Sequence, residues 1–315
     1  MTAGGRKVVV IGAGAVGTTY IYALIHTGLA GEIVLIDIDE KRVEGEVMDL
    51  SHGLAFVPPV NIRPGDYSDT ADATLIVVSA GAKQTAGQSR LELVRRNTDI
   101  VKSIAAQLRK YNSPAVLVMV TNPVDVLTYV ALKELEWPRE RVIGSGTVLD
   151  STRFRYFLSR HCGIDARNVH AYVLGEHGDS EVAAWSMTHI AGVPVKDYCN
   201  LCLRCDSKRA HNEIAARVRD SAYHIIDYKG STYYAVGLAL VRISGAILRN
   251  EHSVLTVSSL LRGEYGIHEL CLSVPCVVGQ NGIERIITAR LEPTEQEALE
   301  NSARTLKGII DSIRV

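Results

Sequence analysis

The first half of the chain alternates between two hydrophobic rhythms. Short, unbroken apolar runs rich in β-branched residues occur at Lys7–Ile11, Ile33–Ile36, Leu75–Val78 and Ala115–Val120, each bounded by Gly, Asp, Ser or Asn. Unbroken runs fit strands covered on both faces, because a strand wet on one side alternates apolar and polar positions. Between them lie segments with a helical period: Val16–Leu29, Lys41–Leu54, Leu91–Tyr111 and Val124–Leu135. Such alternation predicts a doubly wound parallel sheet with right-handed crossovers. Beyond about residue 150 the rhythm changes. Helical stretches at Ser151–Cys162, Ser207–Tyr228 and Ala235–Arg249 precede two antiparallel-looking strands, Ser253–Leu261 and Leu270–Val278, and a closing helix near Glu295–Ile310. The expectation is an α/β unit over residues 1–148 and an α+β unit over 149–315 packed on it, with a cleft between them and no flexible linker.

GAGAVG, residues 12–17, follows the first apolar run and opens the first helix. In that context the pattern reads as a Rossmann-type dinucleotide turn. Gly12 permits the tight turn, Gly14 lets backbone approach a pyrophosphate, and Gly17 allows close packing of helix on strand. The helix N-terminus adds N–H groups and positive dipole. About twenty residues on, the next strand ends at Asp37, whose carboxylate suits a ribose diol and repels a 2′-phosphate, favouring NAD over NADP. The plainer alternative is a Gly-rich turn with a solvated aspartate.

LGEHGDS, residues 174–180, sets His177 between Gly175–Glu176 and Gly178–Asp179. Glycines beside a histidine let backbone come close to a ligand and adopt positive φ, so a proton-transfer site is one reading and an unusual turn the other. Asp150 and Arg153 are three residues apart at a predicted helix start, where both can face one space. Arg153 could grip a carboxylate in bidentate fashion, and Asp150 could hold His177 protonated. Spacing alone serves equally well an N-cap aspartate with a surface ion pair.

Composition narrows the partners. Lys+Arg (34) and Asp+Glu (35) nearly cancel, against a nucleic-acid partner, whose phosphates want a basic excess. No apolar run reaches the roughly 18 residues of a membrane-crossing helix, and the N-terminus lacks a signal peptide's pattern, so a cytoplasmic protein is expected. Cys199, Cys202 and Cys205 form C-x-x-C-x-x-C. An iron–sulfur run would continue with a fourth cysteine and a proline, but Arg209 follows, and no zinc-type partner appears elsewhere. Reduced thiols and no metal are expected.

GAGAVG, the acidic strand end, AGAKQTAGQSR (80–90), TNPVD (121–125), SGTVLDSTRFR (145–155), GEHGDS and KGSTYYAVG (229–237) stand in an order and at spacings that resemble the lactate/malate dehydrogenase family, and within it the bacterial L-lactate dehydrogenases. The resemblance covers essentially the whole chain. It implies NAD as cofactor, held by Gly12, Gly14, Val16, Gly17, Asp37, Arg42, Tyr67, Gly81, Ala82, Ser103, Val120, Thr121, Asn122 and Ser145. It implies that His177 is the acid/base, that Asp150 stabilises its imidazolium, and that Arg90 on a lid polarises the carbonyl. Arg153 would bind the substrate carboxylate, with Asn122, Asp125, Gln84 and Thr232 also on the substrate side. A cis bond before Pro123 is implied as well.

Gln84 bears on the substrate. Malate dehydrogenases of the family carry an arginine there, paired with a second carboxylate. A neutral glutamine suits a methyl group, so pyruvate and lactate are expected over oxaloacetate and malate. Arg155 and His170, by themselves an ordinary helix arginine and a core or surface histidine, match a fructose 1,6-bisphosphate site of bacterial relatives at a subunit interface. A homotetramer with that activator, working in fermentation, is the corresponding expectation. A related glycosidase class would need a metal held by cysteine and histidine, which the motifs lack. A non-enzymatic module would be expected to have lost one of His177, Asp150, Arg153 or Arg90, and all four are present.

Overall fold

The computed structural model describes residues 5–82, 90–202 and 207–313, without the side chains at 90, 200–202 and 207–209. The first half runs β1 (Lys7–Ile11), α1 (Ala15–Ile25), β2 (Glu32–Ile36), α2 (Glu40–His52), β3 (Asn61–Pro64), β4 (Leu75–Val78), α3 (Arg90–Leu108), β5 (Val116–Met119), α4 (Val124–Leu135), β6 (Val142–Gly144) and α5 (Val148–Cys162). The six strands pair in parallel in the order β3-β2-β1-β4-β5-β6, which reverses direction between β1 and β4. Successive residues of β1 enter opposite cores: Val8 and Val10 pack with α1 and its neighbours, Val9 and Ile11 with α3 and α4. Both faces are therefore dry, which is why the strands read as unbroken apolar runs.

Helix α1 ends four residues before the expected Leu29. Thr27 Oγ donates to the Leu24 carbonyl at 2.6 Å, and Gly28 follows at φ +63°, so the chain turns there. Strands β3 and β6 were not expected. β3 is an edge strand with one buried side chain, Ile62, and β6 is three residues long, so neither presents an apolar run.

The second half carries small strands β7 (Val169–His170), β8 (Val173–Leu174), β9 (Val182–Ala183), β10 (His189–Ile190) and β11 (Val193–Pro194). Helices α6 (Val195–Cys202), α7 (Ser207–Lys229) and α8 (Tyr234–Leu248) follow, then β12 (Ser253–Arg262), β13 (His268–Gly279), β14 (Gly282–Ile286) and α9 (Pro293–Ile313). The antiparallel strands were expected in a second α+β unit packed on the first. They extend the first sheet to nine strands, β12 meeting β6 through Ser258 and Gly144. Glycine makes that junction possible. A Cβ on Gly146, at φ +52°, would lie 2.6 Å from the Ser258 nitrogen and 2.7 Å from the Thr256 carbonyl oxygen. The expected boundary at 148/149 falls in the first turn of α5, directly after this junction. Among the described residues no helix is long and apolar enough to cross a membrane.

Candidate active site

The nucleotide end is built from backbone. Gly12 sits at φ +118°, and a Cβ there would lie 2.5 Å from the Ala80 nitrogen. A Cβ on Gly17 would lie 2.1 Å from the Gly12 carbonyl oxygen, so α1 packs against the turn only because both positions lack a side chain. Gly14 differs: nothing stands within 4 Å of where its Cβ would be. Open space over the N-terminus of a helix whose cap makes no side-chain hydrogen bond fits a pyrophosphate. Asp37, at the end of β2, accepts the Ala13 N–H at 2.7 Å and the Asp39 N–H at 3.1 Å, which holds the carboxylate over the turn. Burial, then the charge of Asp37, pushes the half-buried Tyr67 phenol up, so the two lie near each other. These residues fit a dinucleotide.

The neighbouring strand ends close the same crevice. Thr121 Oγ donates to the Ala80 carbonyl at 2.7 Å, and the Ser145 N–H donates to Met119 at 2.8 Å. Asn97 of α3 accepts from Ala82 N–H at 2.8 Å and donates to the Asn122 carbonyl at 2.9 Å. The bond between Asn122 and Pro123 is cis. Gly81, Ala82, Val120, Thr121, Asn122 and Ser145 are thus joined at the C-terminal ends of β4, β5 and β6, where open α/β sheets take their ligands. Arg42 and Ser103 stand exposed on α2 and α3; Arg42 lies 3.7 Å from Glu46. Gln84 and the Arg90 side chain lie outside the described residues, as do Cys205 and the Cys202 side chain. Cys199 is buried, and among the described residues no group of three His, Cys, Asp or Glu side chains is arranged to hold a metal ion.

The catalytic end is built from charge. Helix α5 begins at Val148 with Thr147 as N-cap, so Asp150 lies inside the first turn and does not cap it. Its carboxylate is 2% exposed. Oδ1 accepts from Arg153 Nη1 at 2.8 Å, and Oδ2 is 2.6 Å from His177 Nδ1. Burial disfavours the charged His177 ring, but the Asp150 carboxylate outweighs it, with help from Asp125 and Glu181, and lifts the imidazole to about 9. Burial likewise opposes the Asp150 charge, and His177 with Arg153 overcomes it, holding the carboxyl below its usual range. The arrangement is a histidine kept protonated at neutral pH, its Nδ1 committed to a carboxylate and its Nε2 left over.

Asp125, expected among the substrate contacts, has another place. It is 1% exposed, accepts the His177 backbone N–H at 2.8 Å through Oδ2, and accepts from Ser273 Oγ at 3.2 Å through Oδ1. It supports the histidine from inside the protein and does not face the crevice. Burial pushes its carboxyl up to about 6. Gly175 has the expected positive φ, at +92°, whereas Gly178 does not. Thr232 is half-buried in the loop between α7 and α8, where Lys229 stands over the Tyr233 ring.

Two residues escaped the reading of the sequence. Asn97 lies in the apolar stripe of α3 between Val94 and Val101, and a buried amide in such a stripe was the available signal. Glu181 follows His177 in the same loop. Burial and the Asp150 charge push its carboxyl up to about 8, against the pull of His177, Arg153 and Arg219 of α7. Arg155 and His170 are not brought into one cavity. Arg155 donates to the Ala171 carbonyl at 3.1 Å, lies over Tyr172, and lines a cavity of about 330 Å³ with Arg242. His170, directly opposite His189 across β7 and β10, lines an open groove of about 500 Å³ with His189 and Arg290. Tyr172 borders both.

A doubly wound sheet with a dinucleotide turn, and a His–Arg pair held on a buried aspartate, mark the class of NAD-dependent dehydrogenases. Residues 6–144 match the model of the lactate/malate dehydrogenase NAD binding domain, and residues 147–314 that of the family's alpha/beta C-terminal domain. The chain belongs to the lactate/malate dehydrogenase family. It is 53% identical to an L-lactate dehydrogenase of Acetivibrio thermocellus over 310 residues, 98% of each chain. It is 55% identical to one of Treponema denticola over 304 residues, 96% of each. Among solved structures, a minor L-lactate dehydrogenase of Enterococcus mundtii in its ligands-bound form superposes with a TM-score of 0.96 at 42% identity, over 98% of this chain and 99% of that one.

Proposed function

We propose that the protein reversibly reduces pyruvate to (S)-lactate with NADH, with His177 as proton carrier. The observation that carries this reading is the 2.6 Å contact between His177 Nδ1 and a buried Asp150 that also binds Arg153. When bound, the reduced nicotinamide supplies the hydride that the carbonyl carbon accepts. His177 Nε2 gives its proton to the carbonyl oxygen and takes it back from the hydroxyl in the reverse direction. Asp150 stabilises the imidazolium before the transfer and keeps the ring turned. Arg153 spends one N–H on Asp150, and its remaining donors suit a substrate carboxylate. Asn122, Thr232, Gln84 and Arg90 complete the substrate side of this reading.

The activity for which the relatives are named and Gln84 together favour pyruvate over oxaloacetate. A second carboxylate in a closed pocket without a cation would go unpaired, costing several kcal/mol. The test is NADH oxidation with a panel of 2-oxo acids. Pyruvate should give the highest kcat/KM, and faster turnover of oxaloacetate at equal concentration overturns the substrate assignment.

We infer also that a sugar bisphosphate, fructose 1,6-bisphosphate, activates a cytoplasmic homotetramer that works in fermentation. The support is a groove with His170, His189 and Arg290 and no acidic side chain in its lining, beside the partly buried cation of Arg155. A bisphosphate shared across a two-fold axis would neutralise facing cations and favour the assembled state. The bisphosphate should lower the pyruvate half-saturation. No effect at any bisphosphate concentration overturns the activator reading.

A further inference from the structure

His177 sits in a loop that the local hairpin cannot hold by itself. β8 and β9 pair over only two positions, Val173 with Ala183 and Leu174 with Val182, and residues 175–181 form the turn between them. A two-stranded ribbon of that length is unstable without outside support. Asp125 of α4 supplies support at one point, the His177 N–H. The opposite side of the loop is held by the C-terminal helix.

We propose that Ser302 of α9 is a positioning residue for His177, tying both ends of its loop into one ring of hydrogen bonds. Ser302 is fully buried, at 0% exposure. Its Oγ accepts the Glu176 N–H at 2.8 Å and lies 3.0 Å from Ser180 Oγ. Ser180 Oγ in turn donates to Glu176 Oε2 at 2.5 Å. A hydroxyl has one proton, so the order of donation follows. Ser180 spends its proton on the carboxylate, Ser302 therefore donates to Ser180, and the Glu176 N–H donates to Ser302. The ring joins the residue before His177 to the residue three beyond it, through a helix far away in sequence. Gly175 makes the approach possible, since a Cβ there would lie 2.8 Å from Ser302 Oγ.

A second contact on α9 repeats the pattern. Glu295, 9% exposed in the first turn, accepts the Ser186 N–H at 3.0 Å and also the Ser186 hydroxyl. Glu295 and Ser302 are seven residues apart and so lie on one face of the helix. That face grips the segment carrying the imidazole at both of its ends. A displacement on the order of 1 Å at a reacting group costs about a hundredfold in rate, so an anchor one peptide unit from His177 bears directly on turnover.

The proposal rests on His177 being the proton carrier, and the experiment separates the two. Ser302→Ala, Ser180→Ala and His177→Asn are compared with the unaltered full chain in pyruvate reduction across pH, in NADH binding by fluorescence titration, and in thermal melting. Ser302→Ala should lower kcat roughly tenfold, leave the NADH Kd unchanged, and move the alkaline midpoint of kcat/KM to lower pH as the Asp150 contact loosens. The groups facing the ring that set this midpoint are Asp150 of α5, Asp125 of α4 and Glu181 of the loop itself. Ser180→Ala, which opens the same ring from the loop side, should move the midpoint in the same direction and decides the matter if Ser302→Ala does not fold. Wild-type kcat and midpoint in both serine variants, or a loss of kcat that tracks melting temperature with the midpoint unmoved, overturns the proposal. An active His177→Asn overturns the reading beneath it.

Discussion

The two ends of the crevice solve opposite problems. The nucleotide end consists of glycines and backbone N–H groups within one short turn, and its chemistry is the absence of side chains: Gly12 and Gly17 where atoms touch, Gly14 where space is left. The catalytic end consists of buried charges brought from α4, α5 and the β8–β9 loop, none of them next to another in sequence. A cofactor with two phosphates can be bound by dipoles and neutral donors. A proton held at neutral pH in a half-dry site needs a fixed carboxylate partner, because burial alone would drive it off. Binding thus tolerates a local motif, whereas proton transfer demands several elements in register.

That contrast can be broken at either end. The largest effect is expected from Asp150→Asn. An amide cannot stabilise the imidazolium, so pyruvate reduction should fall by about 10² to 10⁴, the usual worth of general acid catalysis. The pH response has a definite sign. If reduction needs the protonated ring, the native rate should be full well below about 9 and should be lost as pH rises through it. In Asp150→Asn the loss should come at lower pH, while NADH affinity stays native. A parallel fall in NADH affinity would show that the two ends are not separable.

A smaller effect is expected from Gly17→Ala. Its Cβ would lie 2.1 Å from backbone, and overpacking of this kind costs about 1–3 kcal/mol. Melting temperature and NADH affinity should fall together, with the alkaline midpoint unmoved. The smallest effect on the fold is expected from Gly14→Ala, which meets nothing: melting should be native and only cofactor affinity reduced. Gly14→Ala that binds NADH normally would remove Gly14 from the cofactor site.

Legibility followed the same division. Strands β1, β4 and β5 and helix α4 were readable because a strand dry on both faces, or a helix with a steady period, announces itself over a few residues. Strand β3 was not, since an edge strand with one buried residue has no apolar run. His177, Asp150 and Arg153 were legible as candidates. Spacing left Asp150 open between a cap and a catalytic partner, and the start of α5 at Val148 excludes the cap. The family resemblance placed Asp125 on the substrate side, but its carboxylate turns inward to the His177 amide.

By itself the sequence determined the doubly wound half and the dinucleotide turn, and it marked His177 as a candidate for proton transfer, because each is encoded in contiguous residues whose spacing matches one local geometry. Only the tertiary structure decided that β12 to β14 prolong the first sheet, that Asp125 faces inward, and that α9 reaches the catalytic loop. These depend on long-range approaches, such as Ser258 to Gly144 and Ser302 to Glu176. The groups involved are two serines, a glycine and the backbone N–H of a glutamate, whose roles exist only once distant segments are packed together.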